Sequence, residues 1–174
     1  IAVARLLKVD VDVIAAALAA FRGVRRRFEI VGERNGVAVV DDYAHHPTAI
    51  AQTIAAARGF TSKPVVVAFQ AHRYSRVRDM AADFATALAT ADAVLLTPIY
   101  AASEAPIDGV SERSIGDPLV AGGTPVTYVA KVDDLLEAVP RVAGNEAVVL
   151  MLGAGSISRV AHRLGASLHA AIAG

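Results

Sequence analysis

Residues 64–78 read Pro-Val-Val-Val-Ala-Phe-Gln-Ala-His-Arg-Tyr-Ser-Arg-Val-Arg. The run Pro64 to Phe69 is apolar without alternation. A strand turns successive side chains to opposite faces, so such a run needs apolar cover on both sides. At Gln70 the chain turns polar, and from Ser75 to Thr90 apolar residues recur at helical spacing. Strand, polar turn and helix together are the repeating unit of an α/β fold with a mostly parallel sheet.

The same unit recurs outward in both directions. Downstream, the spacing predicts strands over Ala93 to Thr97, Pro125 to Val129 and Ala147 to Leu152. Helices are expected near Glu112 to Leu119, over Val132 to Val139 and over Ile157 to Ala173. Upstream, a helix runs from Pro47 to Arg58. Before it, Arg25 to Glu33 and Gly36 to Asp41 are β-rich runs joined by Arg34-Asn35-Gly36, and Asn-Gly marks a hairpin. Asp10 or Asp12 caps a helix through Phe21, with Val13, Ile14, Ala17, Leu18 and Phe21 on one stripe and Gly23 as its stop. The expected fold class is therefore α/β, three layers, with a hairpin added at the N-terminal side.

The chain of 174 residues is 55% hydrophobic, enough for one domain with a full core. No apolar run approaches the roughly 20 residues of a membrane helix. Seventeen basic residues balance seventeen acidic ones, so no global charge favours nucleic acid or an anionic membrane. The absence of cysteine excludes a disulfide framework and a thiolate metal site, which fits a cytoplasmic protein. The chain opens on Ile1 in an apolar run rather than on a leader, as expected of a piece of something longer.

In parallel sheets ligands bind beyond the carboxyl ends of the strands. Four polar or glycine-rich segments fall there: "DDYAHH" from Asp41, "QAHRYSR" from Gln70, "PIYAASE" from Pro98 and "GAGS" from Gly153. In the second and the two residues after it, His72, Arg73, Arg76 and Arg78 crowd a helix start, where amide donors and forked guanidinium groups suit a carboxylate or phosphate. Asp79 and Asp83 are the competing partners for those arginines. Asp41 and Asp42 suit a magnesium ion, ribose hydroxyls, or the cap of the helix that Pro47 begins. His45 and His46 diverge as neighbours and find no third ligand at metal spacing, so no metal site is expected. "GAGS" is too short for a dinucleotide fingerprint and suits close packing of the last helix. His162 and His169, seven residues apart, read as a surface stripe without a role. No GxxxxGK[ST] phosphate loop occurs, so a main ATP cradle would have to lie elsewhere.

Taken in order and spacing, "VVDDYAHHPTAI", "VAFQAHRYSRVRD", "IYAASEAPIDGV" and "LGAGSI" resemble the C-terminal domain of the Mur ligases, from about Asp12 to the end. The resemblance implies a Rossmann-like domain, the third of three, with a UDP-sugar domain and a central ATPase domain outside this chain. It is strongest to the members that join L-alanine to UDP-N-acetylmuramate with ATP in peptidoglycan synthesis. Their chemistry activates the muramoyl carboxylate as an acyl phosphate, which the alanine amine attacks. By motif match, Arg27 and Asp42 would reach the nucleotide, and Tyr43, His45, His72, Arg73 and Arg76 would surround the alanine and the muramoyl group. ATP and magnesium would be bound mainly by the central domain, with no metal ligand here, and the domain alone would not turn over. Ala71 departs from the proline common at that position.

Two rival readings remain at this stage. A recycling ligase that attaches a tripeptide to the same sugar has a similar "DD(F/Y)AHHPT" segment but usually lacks the "QxHRYxR" run present here. A non-catalytic binding module would use the same arginines to hold a nucleotide or an acidic partner.

Overall fold

The computed structural model describes residues 1–21 and 23–170, the side chains of His169 and Ala170 excepted. Helices α1 (Ala2–Leu6) and α2 (Val11–Ala20) lead into an antiparallel pair, β1 (Glu29–Arg34) and β2 (Val37–Asp42). The alternation then runs α3 (Pro47–Phe60), β3 (Val65–Phe69), α4 (Tyr74–Leu88), β4 (Ala93–Leu96), α5 (Arg113–Ala121) and β5 (Val126–Tyr128). A 3₁₀ turn (Val132–Asp134) opens α6 (Leu135–Ala143), and β6 (Ala147–Leu152) and α7 (Ile157–Ala170) close the described chain. One six-stranded sheet results, in the order β1-β2-β6-β3-β4-β5. Only β1 is antiparallel to its neighbour.

The unbroken apolar run of β3 is explained by two cores. Val65, Val67 and Phe69 enter the layer shared with Ile50, Ile54, Phe84 and Leu88 from α3 and α4. Val66 and Ala68 enter the opposite layer with Leu135 and Val139 of α6 and Ile157, Val160 and Leu164 of α7. Fully burying a side chain such as Phe69 is worth about 1.5–3 kcal/mol, so both faces of this strand stabilise the fold. The alternation continues along β2: Val39 faces the α7 layer and Val40 the α3 layer. It therefore sends Asp41 and Asp42 to opposite sides of the sheet.

Asn35 and Gly36, with φ of 48° and 88°, form the expected hairpin turn. On the α7 face, β1 and α7 meet through Gly32 and Gly165. A Cβ on Gly32 would lie 2.5 Å from the Gly165 Cα, so only glycines allow this approach. The close seat of α7 brings Ser158 and His162 over Asp41.

Several boundaries differ from expectation. β1 starts at Glu29 rather than Arg25, because Arg26 and Phe28 take left-handed φ values of 56° and 49° and make a turn. The stripe of α2 faces outward: Ile14 is buried, whereas Val13, Leu18 and Phe21 are more than half exposed. Its cap is Asp10, which accepts from the Asp12 amide at 2.8 Å. Neither Asp41 nor Asp42 caps α3, whose N-cap is His46 with no side-chain hydrogen bond. Helix α6 continues to Ala143, and the expected end of the last helix at Ala173 lies outside the described residues.

Candidate functional site

Because β2, β6, β3 and β4 are consecutive in the sheet, their four carboxyl-end loops form one continuous rim. At the β2 end, Asp42 is 6% exposed and both its oxygens are engaged. Oδ2 accepts the Phe28 amide at 2.7 Å and Oδ1 the Ala44 amide at 2.8 Å. The Tyr43 amide donates to the Arg26 carbonyl at 2.9 Å, so the turn carrying Arg27 is stitched to the end of β2. Arg27 is exposed, with its guanidinium carbon 5.7 Å from the centre of the Tyr43 ring.

An aromatic row continues from there along the rim. Tyr43 meets His45 edge-on at 4.9 Å, His45 lies 6.0 Å from His72, and His72 stacks on Tyr100 at 5.5 Å. The His45 Nδ1 is 2.8 Å from the Tyr43 carbonyl, which fixes the ring. His46 is exposed and takes no part, in keeping with the divergence of neighbours. Burial foremost, then the Arg76 charge, pushes His72 below the ordinary imidazole range, which favours the neutral ring. Both His72 Nδ1 and Arg76 Nη1 are buried without a hydrogen-bond partner. A neutral imidazole and a cation with an unpaired N–H beside it can receive a carboxylate.

The three arginines of the α4 start divide. Arg76 is half-buried in the row, Arg73 is half-exposed with its Nη1 3.9 Å from Glu104, and Arg78 turns out to a bidentate pair with Asp79 at 2.7 and 3.1 Å. The anion expected at the helix start is supplied by the chain itself. Glu104 accepts the Ser75 amide at 3.0 Å and the Ser75 hydroxyl at 2.7 Å, and these bonds hold its carboxyl below the usual range. Arg73 precedes the helix with φ of 75°, its amide donating to the Tyr100 carbonyl at 2.9 Å. Glu104 and Tyr100 were missed from the sequence, although the acid in "PIYAASE" was the signal available.

On the other face, Asp41 is fully buried and accepts the Ser158 hydroxyl at 2.5 Å, with His162 Nε2 at 3.5 Å and Arg26 Nε at 3.8 Å. His162 therefore has an ionic neighbour that the stripe reading did not foresee; the side chain of His169 lies outside the described residues. The "GAGS" turn packs as expected. Gln70 Oε1 accepts the Ile157 amide at 3.0 Å, and a Cβ on Gly155 would meet Gln70 and Tyr100 within 2.7 Å.

The sequence matches the family model described as Mur ligase, glutamate ligase domain, over residues 26–155, and the chain belongs to that family. It is 48% identical over 165 residues to a UDP-N-acetylmuramate–L-alanine ligase of Acidithiobacillus ferrooxidans, covering 92% of this chain and 35% of that relative. Among solved structures, UDP-N-acetylmuramate-alanine ligase from Thermotoga maritima superposes with a TM-score of 0.79 at 31% identity, covering 98% of this chain and 36% of the other. A murein peptide ligase from Psychrobacter arcticus gives 0.66 at 25% identity, covering 96% and 35%. The chain thus spans about a third of the length of the relatives it matches.

Proposed function

We propose that this chain is the acceptor-presenting domain of a three-domain, ATP-dependent ligase that joins L-alanine to UDP-N-acetylmuramate, with the UDP-sugar and ATPase domains outside it. The observation that carries the reading is the row of Tyr43, His45, His72 and Arg76, with the buried Arg76 Nη1 donor and the buried His72 Nδ1 both unpaired beside the half-exposed Arg73. Such a site holds the alanine carboxylate through the arginines and leaves the amine free to attack the acyl phosphate, so its contribution is orientation. Greater likeness to the alanine ligase than to the murein peptide ligase favours alanine over the tripeptide.

Arg27 is the nucleotide contact in this reading. It is exposed beside a concavity of about 740 Å³ lined by Gly23, Val24, Arg25, Arg27, Phe28, Glu29 and Ile30, and a guanidinium there offsets phosphate charge. Asp42 contributes chiefly by anchoring the turn that carries Arg27, and its remaining lone pairs are what a ribose hydroxyl would use. ATP and magnesium are assigned to the central domain, so the 174 residues alone do not turn over. The enzyme works in the cytoplasm in this reading; no described helix is long and apolar enough to cross a membrane.

The test is phosphate release by the full-length protein with ATP, magnesium and UDP-N-acetylmuramate. Release that depends on L-alanine supports the proposal. Release that depends on the tripeptide replaces it with recycling, and silence with both leaves a binding module.

A further inference from the structure

We infer that Arg26, not only its neighbour Arg27, serves the reaction: it is a positioning residue that holds the nucleotide-side turn and the acceptor-side Tyr43 in one register. The inference rests on the ligase reading above for what the two sides bind, and on geometry alone for what Arg26 does.

Four independent contacts converge on this residue. Its Nη2 donates to the Gly153 carbonyl at 2.7 Å, across the rim on the β6 loop. Its guanidinium carbon lies 4.7 Å from the centre of the Tyr43 ring, within the range of a cation–π contact. Its amide donates to Glu29 Oε2 at 2.8 Å, and its carbonyl accepts the Tyr43 amide at 2.9 Å. These bonds hold Arg26 at φ of 56°, a region that residues with a side chain seldom occupy. The conformation persists because the surroundings over-determine it, and its product is the turn that displays Arg27.

The electrostatic surroundings explain why the residue is an arginine. Glu29, Asp41 and His162 bring ligand atoms within 4.8 Å of one another, an arrangement that invites a cation. The chain furnishes one, since Arg26 Nε stands 3.8 Å from Asp41 Oδ2. A planar guanidinium can face that carboxylate, donate to Gly153 and lie against the Tyr43 ring at once, whereas an ammonium group is a point charge without a stacking face. Arg26 Nε and Asp41 Oδ1 are each buried without a hydrogen-bond partner, so the network is one bond short of complete. Removing the guanidinium would take away the turn's tie to Gly153 and the cover on the Tyr43 ring together, leaving the turn that carries Arg27 held by the Arg26 backbone bonds alone.

The experiment uses the full-length protein with Arg26→Met, which keeps an apolar stem, and Arg26→Lys, which keeps the charge without the fork. Steady-state phosphate release gives apparent KM for alanine and for ATP, and amide exchange is followed over residues 23–30 and 39–46. In Arg26→Met both KM values rise about tenfold or more, and exchange accelerates in both segments but not across β3 and β4. Arg26→Lys falls between that variant and wild type, and it carries the test should Arg26→Met fail to fold. A folded Arg26→Met with both KM values within about twofold of wild type overturns the inference. So does a rise confined to one substrate, or a lower melting temperature with unchanged KM, which marks a merely structural residue. If wild type releases no phosphate with alanine, the ligase reading fails, while the exchange comparison still decides whether Arg26 restrains the two segments.

Discussion

At the end of β2 and in the loop after β4 the charges are carboxylates; at the start of α4 they are guanidinium groups beside an imidazole. The two sets are treated differently. Asp42 gives both oxygens to backbone amides, and Glu104 gives both of its own to Ser75. His72 Nδ1 and Arg76 Nη1, in contrast, are buried and unpaired. A buried donor without a partner costs about 1–3 kcal/mol, so a fold keeps such groups only where something offsets the cost. In the ligase reading, the incoming carboxylate is that offset. In that reading Asp42 and Glu104, matched within the chain, build the scaffold, and the unpaired Arg76 beside His72 receives the ligand.

The largest effect is expected where the scaffold is broken. Asp42→Ala strands the amides of Phe28 and Ala44, two donors at a buried position. The expected loss of folding stability is about 2–5 kcal/mol, read as a shift of the denaturation midpoint. Asp42→Asn keeps one acceptor oxygen and should lose less. An Asp42→Ala variant as stable as wild type would show that this carboxylate is not scaffold and would erase the contrast between the two sides.

Next comes the receiving side. Arg76→Met should leave the fold intact and weaken alanine use, with kcat/KM for alanine falling by about 1.5–3 kcal/mol of transition-state stabilisation, the value of a charge-assisted hydrogen bond. His72 adds a sign to that comparison. Its pKa is lowered by burial and then by Arg76, so the unfolded chain takes up a proton before the folded one does. Its presence therefore reduces stability as pH falls from its ordinary value of 6.5 towards the lowered folded value. In Arg76→Met one of the two leading causes is gone, so the His72 titration seen by NMR should move up. No movement would place the Arg76 charge elsewhere.

Glu104 predicts a smaller, pH-dependent effect. Its carboxyl is held below its ordinary value first by the Ser75 amide and then by the Ser75 hydroxyl. The stabilisation is present above the unfolded pKa and is lost as pH falls through the depressed folded value. Glu104→Gln should thus be less stable than wild type at neutral pH, and the gap should close in acid. A gap that does not depend on pH would mean that the contact acts by shape rather than by charge.

The order of elements was legible because both cores recruit from the same short strands, which forces unbroken apolar runs such as Val65 to Phe69. The hairpin was legible from Asn35-Gly36 because few residues tolerate its φ values. The stripe of α2 was legible as a pattern but not as a location, since periodicity says that a face is apolar and not what covers it. The grouping of His72, Arg73 and Arg76 was visible because one helix start carries them. Glu104 was not, because its pairing with Ser75 joins residues 29 positions apart through loop geometry. His162 was hidden for a similar reason: its meeting with Asp41 depends on α7 sitting close enough on β1 for two glycines to touch.

Arg78 gives the smallest effect and the sharpest control. It lies two residues beyond Arg76 on the same helix, carries the same charge and belongs to the same sequence run. It differs in having found a partner, since its guanidinium makes a bidentate pair with Asp79 and both side chains are more than half exposed. Exposed pairs of this kind contribute little, because water screens the charges and the side chains lose freedom in meeting. Arg78→Ala in the full-length protein should therefore keep kcat/KM for alanine within about twofold of wild type. If Arg78→Ala and Arg76→Met lowered it equally, the relevant property would be the summed positive charge of the helix start, and raising salt would weaken alanine use in wild type to the same extent. If only Arg76→Met did so, the determinant would be the unpaired, half-buried donor itself, and salt would have little effect.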